Sequence, residues 1–289
     1  MQSKEKWNRL ASTWVNTGPP ASPSDEDISN FSNLLQDALS DKSTGTIMIL
    51  GCTPKLRDLL CDFKGFKSFD VVCVDFSREM YERTTESVKC HNPREQFVLE
   101  DWLTMDIGQQ RFDAVLGDKV IDNVMPGDWT TFFERVHYHL RPHGYFIVHL
   151  APQNMTFKHI TFSTSLDKWA DFYRHYRGSL ERAASGFWEE VLGATAFKGG
   201  MRHNTQKIER LEDEVEAIRM KLDSLDQYHQ DVFNVFLRVF WNSREDEWSS
   251  YDYEEILWVM NKYFTHDKTL HSKDYIVASI QPIVRMKAK

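Results

Sequence analysis

Glycine is scarce in this chain, and the runs that cradle phosphates are missing. Its 289 residues hold 13 glycines, none of them in a Gly-x-Gly-x-x-Gly run or a loop ending in Gly-Lys-Ser/Thr. A pyrophosphate or triphosphate needs such backbone to come close, so those ligand classes are disfavoured. Cysteine is also sparse. Cys52, Cys61, Cys73 and Cys90 make no C-x-x-C pair and no zinc-like spacing. They are expected to be free thiols in a reducing compartment, with no metal site. No apolar run is long enough to span a bilayer, and the opening MQSKEKWNRL has no apolar leader core. A cytoplasmic protein without a membrane partner is expected. A formal net charge of -8 argues against gripping nucleic acid by its phosphates,. No internal repeat or low-complexity stretch is evident.

What the chain does have is concentrated between Thr44 and Phe76. Ile47, Met48, Ile49 and Leu50 form an apolar run that ends at Gly51, as a buried parallel strand entering a turn does,. Cys52, Thr53 and Pro54 follow, and Thr53 and Pro54 suit the cap and first position of a helix. A second apolar run, Val71 to Val74, ends in Asp75. That spacing is the one at which nucleotide-binding α/β proteins place a ribose-binding carboxylate. A ligand with a ribose but no phosphates satisfies both the presence of Asp75 and the lack of glycines.

These residues resemble the class I S-adenosylmethionine (SAM)-dependent methyltransferases, although the turn is poorer in glycine than the family's. The resemblance implies that Gly51, Cys52 and Thr53 contact the methionine part of the cofactor and that Asp75 holds the ribose hydroxyls, with Phe76 and Met80 beside it. Ser77 is a candidate cap for a polar helix. After a short strand, Gln96 to Leu99, Asp101 and Trp102 match the family's adenine position, as acceptor for the amino group and as an aromatic face,. The fourth strand, Phe112 to Leu116, closes in Gly117-Asp118, with Asn123 nearby. It resembles the Gly-Asp form found in some small methyltransferases, not the Asn/Asp-Pro-Pro-Tyr/Phe form. Asp118 is expected to bind the cofactor's ammonium or to act as a base. Leu140-Arg141-Pro142-His143-Gly144 matches the family's Leu-Arg-Pro-Gly-Gly stop, with His143 in place of the first glycine, and His149 ends the fifth strand.

The expected fold is a Rossmann-like α/β sheet, mostly parallel with a closing antiparallel strand, with N-terminal helices and a large helical insertion after the fifth strand. Residues 1–43 are expected to form a helical lid carrying Trp7 and Trp14, and 44–150 the SAM-binding core. Residues 151–264 would form a helical substrate subdomain, and 265–289 the strands that complete the sheet. Within the insertion the reading is helical throughout, including Tyr251 to Phe264. Asp274 to Met286 is read as a strand or two, with Pro282 at an edge or bulge. A heptad-like helix from about Thr205 allows a homodimer.

The function implied is methyl transfer from SAM to a small organic acceptor. Asp118 and His149 are the catalytic candidates, and Trp14, Tyr173, Arg174 and Tyr176 the substrate-binding ones. Two alternatives share the fold. One is attack on the cofactor's 3-amino-3-carboxypropyl side, including cyclisation, which releases methylthioadenosine. The other is a non-catalytic scaffold.

Overall fold

The computed structural model describes residues 7–8, 10–11, 14, 17–62, 65, 68–109, 111–152, 161–176, 180–197, 205–239, 241, 251–275 and 277–289. In chain order the elements are α1 (Asp25–Ala38), β1 (Gly45–Leu50), α2 (Pro54–Asp62), β2 (Phe69–Asp75), α3 (Arg78–Ser87), β3 (Glu95–Leu99), β4 (Phe112–Asp118), α4 (Trp129–His139) and β5 (Leu140–His149). Next come α5 (Phe162–Tyr176), α6 (Leu180–Phe197), α7 (Thr205–Lys221), α8 (Gln227–Val239), α9 (Tyr253–Met260), β6 (Phe264–Leu270) and β7 (Ile283–Ala288). The chain divides into two compact units. One comprises 1–15, 23–152 and 252–289, the other 16–22 and 153–251.

The first unit is a seven-stranded sheet ordered β3-β2-β1-β4-β5-β7-β6. β1 to β5 pair in parallel, and β7 is antiparallel to both β5 and β6. Alternation along the strands sorts the core. On one face Ile47, Ile49, Ala114, Leu116 and Ile147 pack against Phe31, Leu34 and Leu35 of α1 and Leu56 and Leu60 of α2. On the other, Phe132 and Phe133 of α4 meet Phe146 of β5, and Phe133 and Phe146 also meet Phe264 of β6. α1 starts at a capping box, in which Asp27 N–H donates to Ser24 Oγ and Ser24 N–H to Asp27 Oδ2,.

Four expectations are corrected. The helix read over Tyr251 to Phe264 stops at Met260 and gives way to β6, whose polar sequence FTHDKTL lacks an apolar alternation. β7 lies between β5 and β6, so Pro282 does not sit on an edge strand; it precedes β7 and its carbonyl accepts from Leu150 N–H. β5 begins directly at Leu140, with a register shift opposite Phe112 and Ala114. His143 there adopts φ 65°, the left-handed conformation that a glycine in its place would adopt without strain,. Cys61 and Cys90 are disulfide-bonded, with Cα atoms 5.8 Å apart, leaving Cys52 and Cys73 as the free thiols. Stable disulfides belong to oxidising compartments, so the cysteine count no longer supports a reducing one.

In the second unit, Phe162, Leu166 and Trp169 of α5, Phe187 and Trp188 of α6, and Phe233 and Phe236 of α8 share a core, joined by Val215 and Ile218 of α7. α5 and α6 approach closely because Gly186 has no side chain, and a Cβ there would lie 2.1 Å from the Trp169 ring. No helix of the described residues is long and apolar enough to cross a membrane.

At the N-terminal ends of the strands, the buried Asp113 carboxylate accepts from Lys42 Nζ at 2.5 Å, from Thr46 N–H at 2.9 Å and from Arg141 at 2.7 Å. Burial raises its pKa, but these hydrogen bonds outweigh it and hold the carboxyl below its ordinary 3.8. The stabilisation is therefore present above pH 3.8 and is lost as pH falls through the lower folded value. Asp113→Ala is expected to cost about 3 kcal/mol in denaturant titration at pH 7. The deficit should shrink as the titration is repeated at progressively lower pH.

Candidate functional site

Strand pairing brings the sequence-predicted residues to one end of the sheet. Leu50 lies level with Val74 on one side and Gly117 on the other, and Asp118 lies level with His149. The next residues along β1 and β2 are Gly51 and Asp75, so Gly51, Asp75, Asp118 and His149 stand in one row at the carboxyl ends of the strands. This is where open α/β sheets bind ligands.

The turn after β1 needs its single glycine. Gly51 has φ 83°, a conformation strained for other residues,. Its N–H donates to Val74 carbonyl oxygen at 2.8 Å, and Trp102 Nε1–H donates to the same oxygen, also at 2.8 Å. One carbonyl thus ties the indole to the turn. A Cβ on Gly51 would have Trp102 Cζ2 at 3.8 Å and Asp75 Oδ2 at 4.0 Å. Turn, indole and carboxylate thus border one another at the end of β1.

Asp75 is 6% exposed. Burial pushes its pKa up to about 6, although Ser77 N–H, the Cys52 thiol and Phe76 N–H favour the charged form. Ser77 N–H donates to Oδ1 at 2.8 Å, and Ser77 Oγ caps α3 by accepting from Met80 N–H. The same hydroxyl donates to Asn8 Oδ1 at 2.7 Å, which brings the N-terminal segment to the Asp75 loop. Cys52 is buried, and its thiol pKa is raised well above its ordinary value, chiefly by burial and then by Asp75. Phe76 meets Trp102 edge-on, and Met80 is buried. Asp101 closes a turn, with Leu103 N–H donating to Oδ1 at 2.9 Å. Thr53 carbonyl oxygen accepts from Leu56 and Arg57 N–H at the start of α2.

At β4, a Cβ on Gly117 would lie 2.7 Å from Val120 Cγ2, so glycine lets the following turn fold against the strand. Asp118 Oδ1 accepts from His149 Nδ1 at 2.8 Å, and neither side chain is more than 6% exposed. Asn123 Nδ2 reaches Lys119 carbonyl oxygen at 3.4 Å, while its buried Oδ1 has no hydrogen-bond partner among the described residues.

Several residues at this end were missed by sequence reasoning. Tyr275 hydroxyl lies 3.4 Å from His149 Nε2 and donates to Gln281 Oε1 at 3.1 Å. Asp27, fully buried, accepts from Ser272 Oγ at 2.5 Å. Burial raises its pKa, but His149, Ser272, Ser24 and Lys119 bring it below the ordinary value. No local pattern marks Tyr275 or Asp27 for this place, since Tyr275 arrives with the antiparallel return of the chain and Asp27 with the docking of α1.

Of the four substrate-binding candidates, Trp14 belongs to the first unit and Tyr173, Arg174 and Tyr176 to the second. Trp14 stands edge-on to Trp7 with ring centroids 5.1 Å apart. In the second unit, Tyr173 packs on Tyr228, and Arg174 pairs with Asp171 and Asp226 and lies over the Tyr228 ring. Tyr176 ends α5, and its side chain lies outside the described residues. Among the described residues no three His, Cys, Asp or Glu side chains group as metal ligands.

The strand order is that of the Rossmann-like methyltransferase fold. Residues 56–144 match the family model described as a methyltransferase domain, a span that includes Asp75, Trp102 and Asp118. Among solved structures, the chain is similar to N-methyltransferase NodS from Bradyrhizobium japonicum WM9 in complex with S-adenosylhomocysteine, at 9% identity and TM-score 0.50, covering 97% of this chain and 98% of that one. It is also similar to a protein of Rhodobacter sphaeroides described as a putative zinc-dependent alcohol dehydrogenase, at 15% identity and TM-score 0.55, covering 99% and 98%. A third is the PH0226 protein of Pyrococcus horikoshii OT3, at 13% identity and TM-score 0.50, covering 99% and 100%. At these identities the likeness is one of fold. No curated protein matches the sequence significantly.

The raised pKa of Asp75 has a measurable consequence for stability. The folded chain holds this proton up to pH about 6, whereas the ordinary carboxyl loses it near 3.8. Between those values the folded state binds more protons, so stability from this group is lost as pH rises through the window. Asp75→Asn removes the cost of a dry carboxylate and is expected to raise unfolding free energy at pH 7.5 by about 1–2 kcal/mol. The gain should vanish at pH 4.

Proposed function

We propose that the chain is a SAM-dependent methyltransferase acting on a small organic acceptor. The observation that carries this reading is the Asp75 carboxylate, buried beside the Gly51 turn and the tethered Trp102 indole. A dry carboxylate gains most from new hydrogen-bond donors, and a ribose supplies two adjacent hydroxyls. The likeness in fold to NodS, crystallised with S-adenosylhomocysteine, adds support.

In this reading Asp75 binds the ribose, Trp102 and Asp101 the adenine with Phe76 and Met80 alongside, and Gly51, Cys52 and Thr53 the methionine chain. Gly117 lets Val120 fold against the end of β4, where Asp118 and Asn123 Oδ1, which has no partner among the described residues, take the ammonium group. Residues 1–43 act as a lid, and the Asn8 contact to Ser77 is its point of attachment. The bound cofactor supplies a methyl group already activated on a sulfonium. The chain's part is orientation and exclusion of water. A small acceptor is favoured over a polyanion by the net charge of -8,.

Calorimetry with SAM tests the cofactor site. Asp75→Ala is expected to weaken binding at least tenfold without unfolding the chain, and wild-type affinity in that variant sinks the assignment. Wild-type affinity should also fall as pH drops below about 6, because the proton held by Asp75 must leave before the hydroxyls can donate to it,. Mass spectrometry of protein incubated with SAM and a metabolite extract tests the reaction. S-adenosylhomocysteine above a heat-denatured control is the expected product. Methylthioadenosine instead would mean that the aminocarboxypropyl side is attacked and would overturn methyl transfer.

A further inference from the structure

The Asp118 carboxylate does not stand alone at the strand end. Its Oδ1 meets His149 Nδ1 at 2.8 Å, and His149 Nε2 lies 3.4 Å from the Tyr275 hydroxyl. Gln281 Oε1 is 3.1 Å beyond. The chain of contacts thus runs from β4 through β5 to the segment between β6 and β7. Its middle is dry: the His149 side chain is 1% exposed, and Tyr275 is 9% exposed. With both ring nitrogens engaged and almost no surface, His149 is badly placed to touch an acceptor. Asp118 stands in the row of cofactor candidates, and its Oδ2 makes no hydrogen bond to a described residue.

We propose that Tyr275 and His149 are positioning residues for cofactor binding, acting through Asp118. The proposal rests on the assignment of Asp118 to the cofactor's ammonium group. The physical argument concerns one proton. When the His149 imidazole is neutral it carries a single N–H, and the carboxylate beside Nδ1 accepts only if that proton is on Nδ1. Nε2 is then a lone pair in a dry site and needs a donor. Among the described residues the Tyr275 hydroxyl is the donor within reach; when its proton turns from Gln281 Oε1 to His149 Nε2, the Gln281 amide can turn to donate to the phenol oxygen,. The phenol therefore selects the tautomer, and the tautomer fixes the carboxylate with Oδ2 turned away for the ligand. Without the phenol, a proton on Nε2 would place the Nδ1 lone pair against Asp118 and drive the carboxylate out of position. Asp27 lies within electrostatic reach of both His149 and Lys119.

Tyr275→Phe removes the hydroxyl and keeps the ring. Nitrogen-15 chemical shifts of the His149 ring, read by NMR on the cofactor-free protein, are expected to show the Nδ1–H form in the wild type and a mixture of tautomers in Tyr275→Phe. Unchanged shifts overturn the proposal. In calorimetry, Tyr275→Phe is expected to weaken SAM binding about fivefold, and to change it by less than twofold when Asp118 is already Asn. Equal losses with and without Asp118 would mean that Tyr275 acts by packing alone, which overturns the proposal, as does wild-type affinity in the single variant. A second pair of variants guards against misfolding. His149→Asn keeps an N–H toward Asp118 and is expected to bind at least three times more tightly than His149→Leu; equal affinities overturn the role given to His149. The tautomer measurement needs no cofactor. A wild-type protein that shows the Nδ1–H form yet fails to bind SAM would therefore overturn the cofactor reading while leaving the Tyr275–His149–Asp118 chain in place.

Discussion

The register of β1 between β2 and β4 is the constraint on which the site depends. With Leu50 level with Val74 and Gly117, the turn after β1, the acid after β2 and the acid after β4 emerge in one row. A slip of one residue would turn Ile47 and Ile49 from one face of the sheet to the other and move Asp75 away from Gly51. The register is held from both faces by packing: aliphatic residues of α1 and α2 on one side, phenylalanines of α4, β5 and β6 on the other. At the far end Asp113 draws together the starts of β1, β4 and β5 through Thr46, Lys42 and Arg141. Core packing and the ion cluster therefore place the ligand-facing groups without touching a ligand.

The carboxylates of the first unit show how one fold gives the same side chain opposite properties. Asp113 and Asp27 are buried but well supplied with donors and neighbouring cations, so each is held as an anion below its ordinary pKa. Asp75 is equally dry, yet its donors are two backbone N–H groups and the Cys52 thiol, and burial prevails. The first two stabilise the fold, whereas the third costs stability near neutral pH. Asp75 is thus kept at a cost, at the carboxyl end of a strand and beside an indole, and perturbed carboxylates of this kind cluster at functional sites,.

Much of this was legible in the sequence because it is local. Apolar runs ending in Gly51, Asp75 and Gly117-Asp118 mark strand ends directly, and Ser24 and Ser77 cap the helices that follow them. The losses have physical causes. β6 is half-exposed and polar, so it carries no strand period, and the helical residues before it drew the reading onward. The Cys61–Cys90 bond joins the end of α2 to the loop after α3, a proximity created by packing and not by spacing. Tyr275 and Asp27 come to the site from opposite ends of the chain, by antiparallel return and by the docking of α1. For Tyr173 and Arg174, aromatic and cationic character gave no hint of their contacts with Tyr228 of α8 and with Asp226 just before it.

The C-terminal strands have a consequence beyond closing the sheet. β7 pairs antiparallel with β5, with His149 level with Ile283, so the segment entering β7 is brought to the ligand end of β5. A further parallel strand would have placed its start at the opposite edge, beside Asp113, and its entry segment far from His149. Reversal of direction at this one strand therefore lets the last part of the chain supply Tyr275 and Gln281 to a site built by its first half. The match to the methyltransferase-domain model ends at residue 144, so it contains Asp75 and Asp118 but neither His149 nor Tyr275. The first half of the chain thus brings Asp75 and Asp118 to the strand ends, and the antiparallel return adds Tyr275 and Gln281 behind His149.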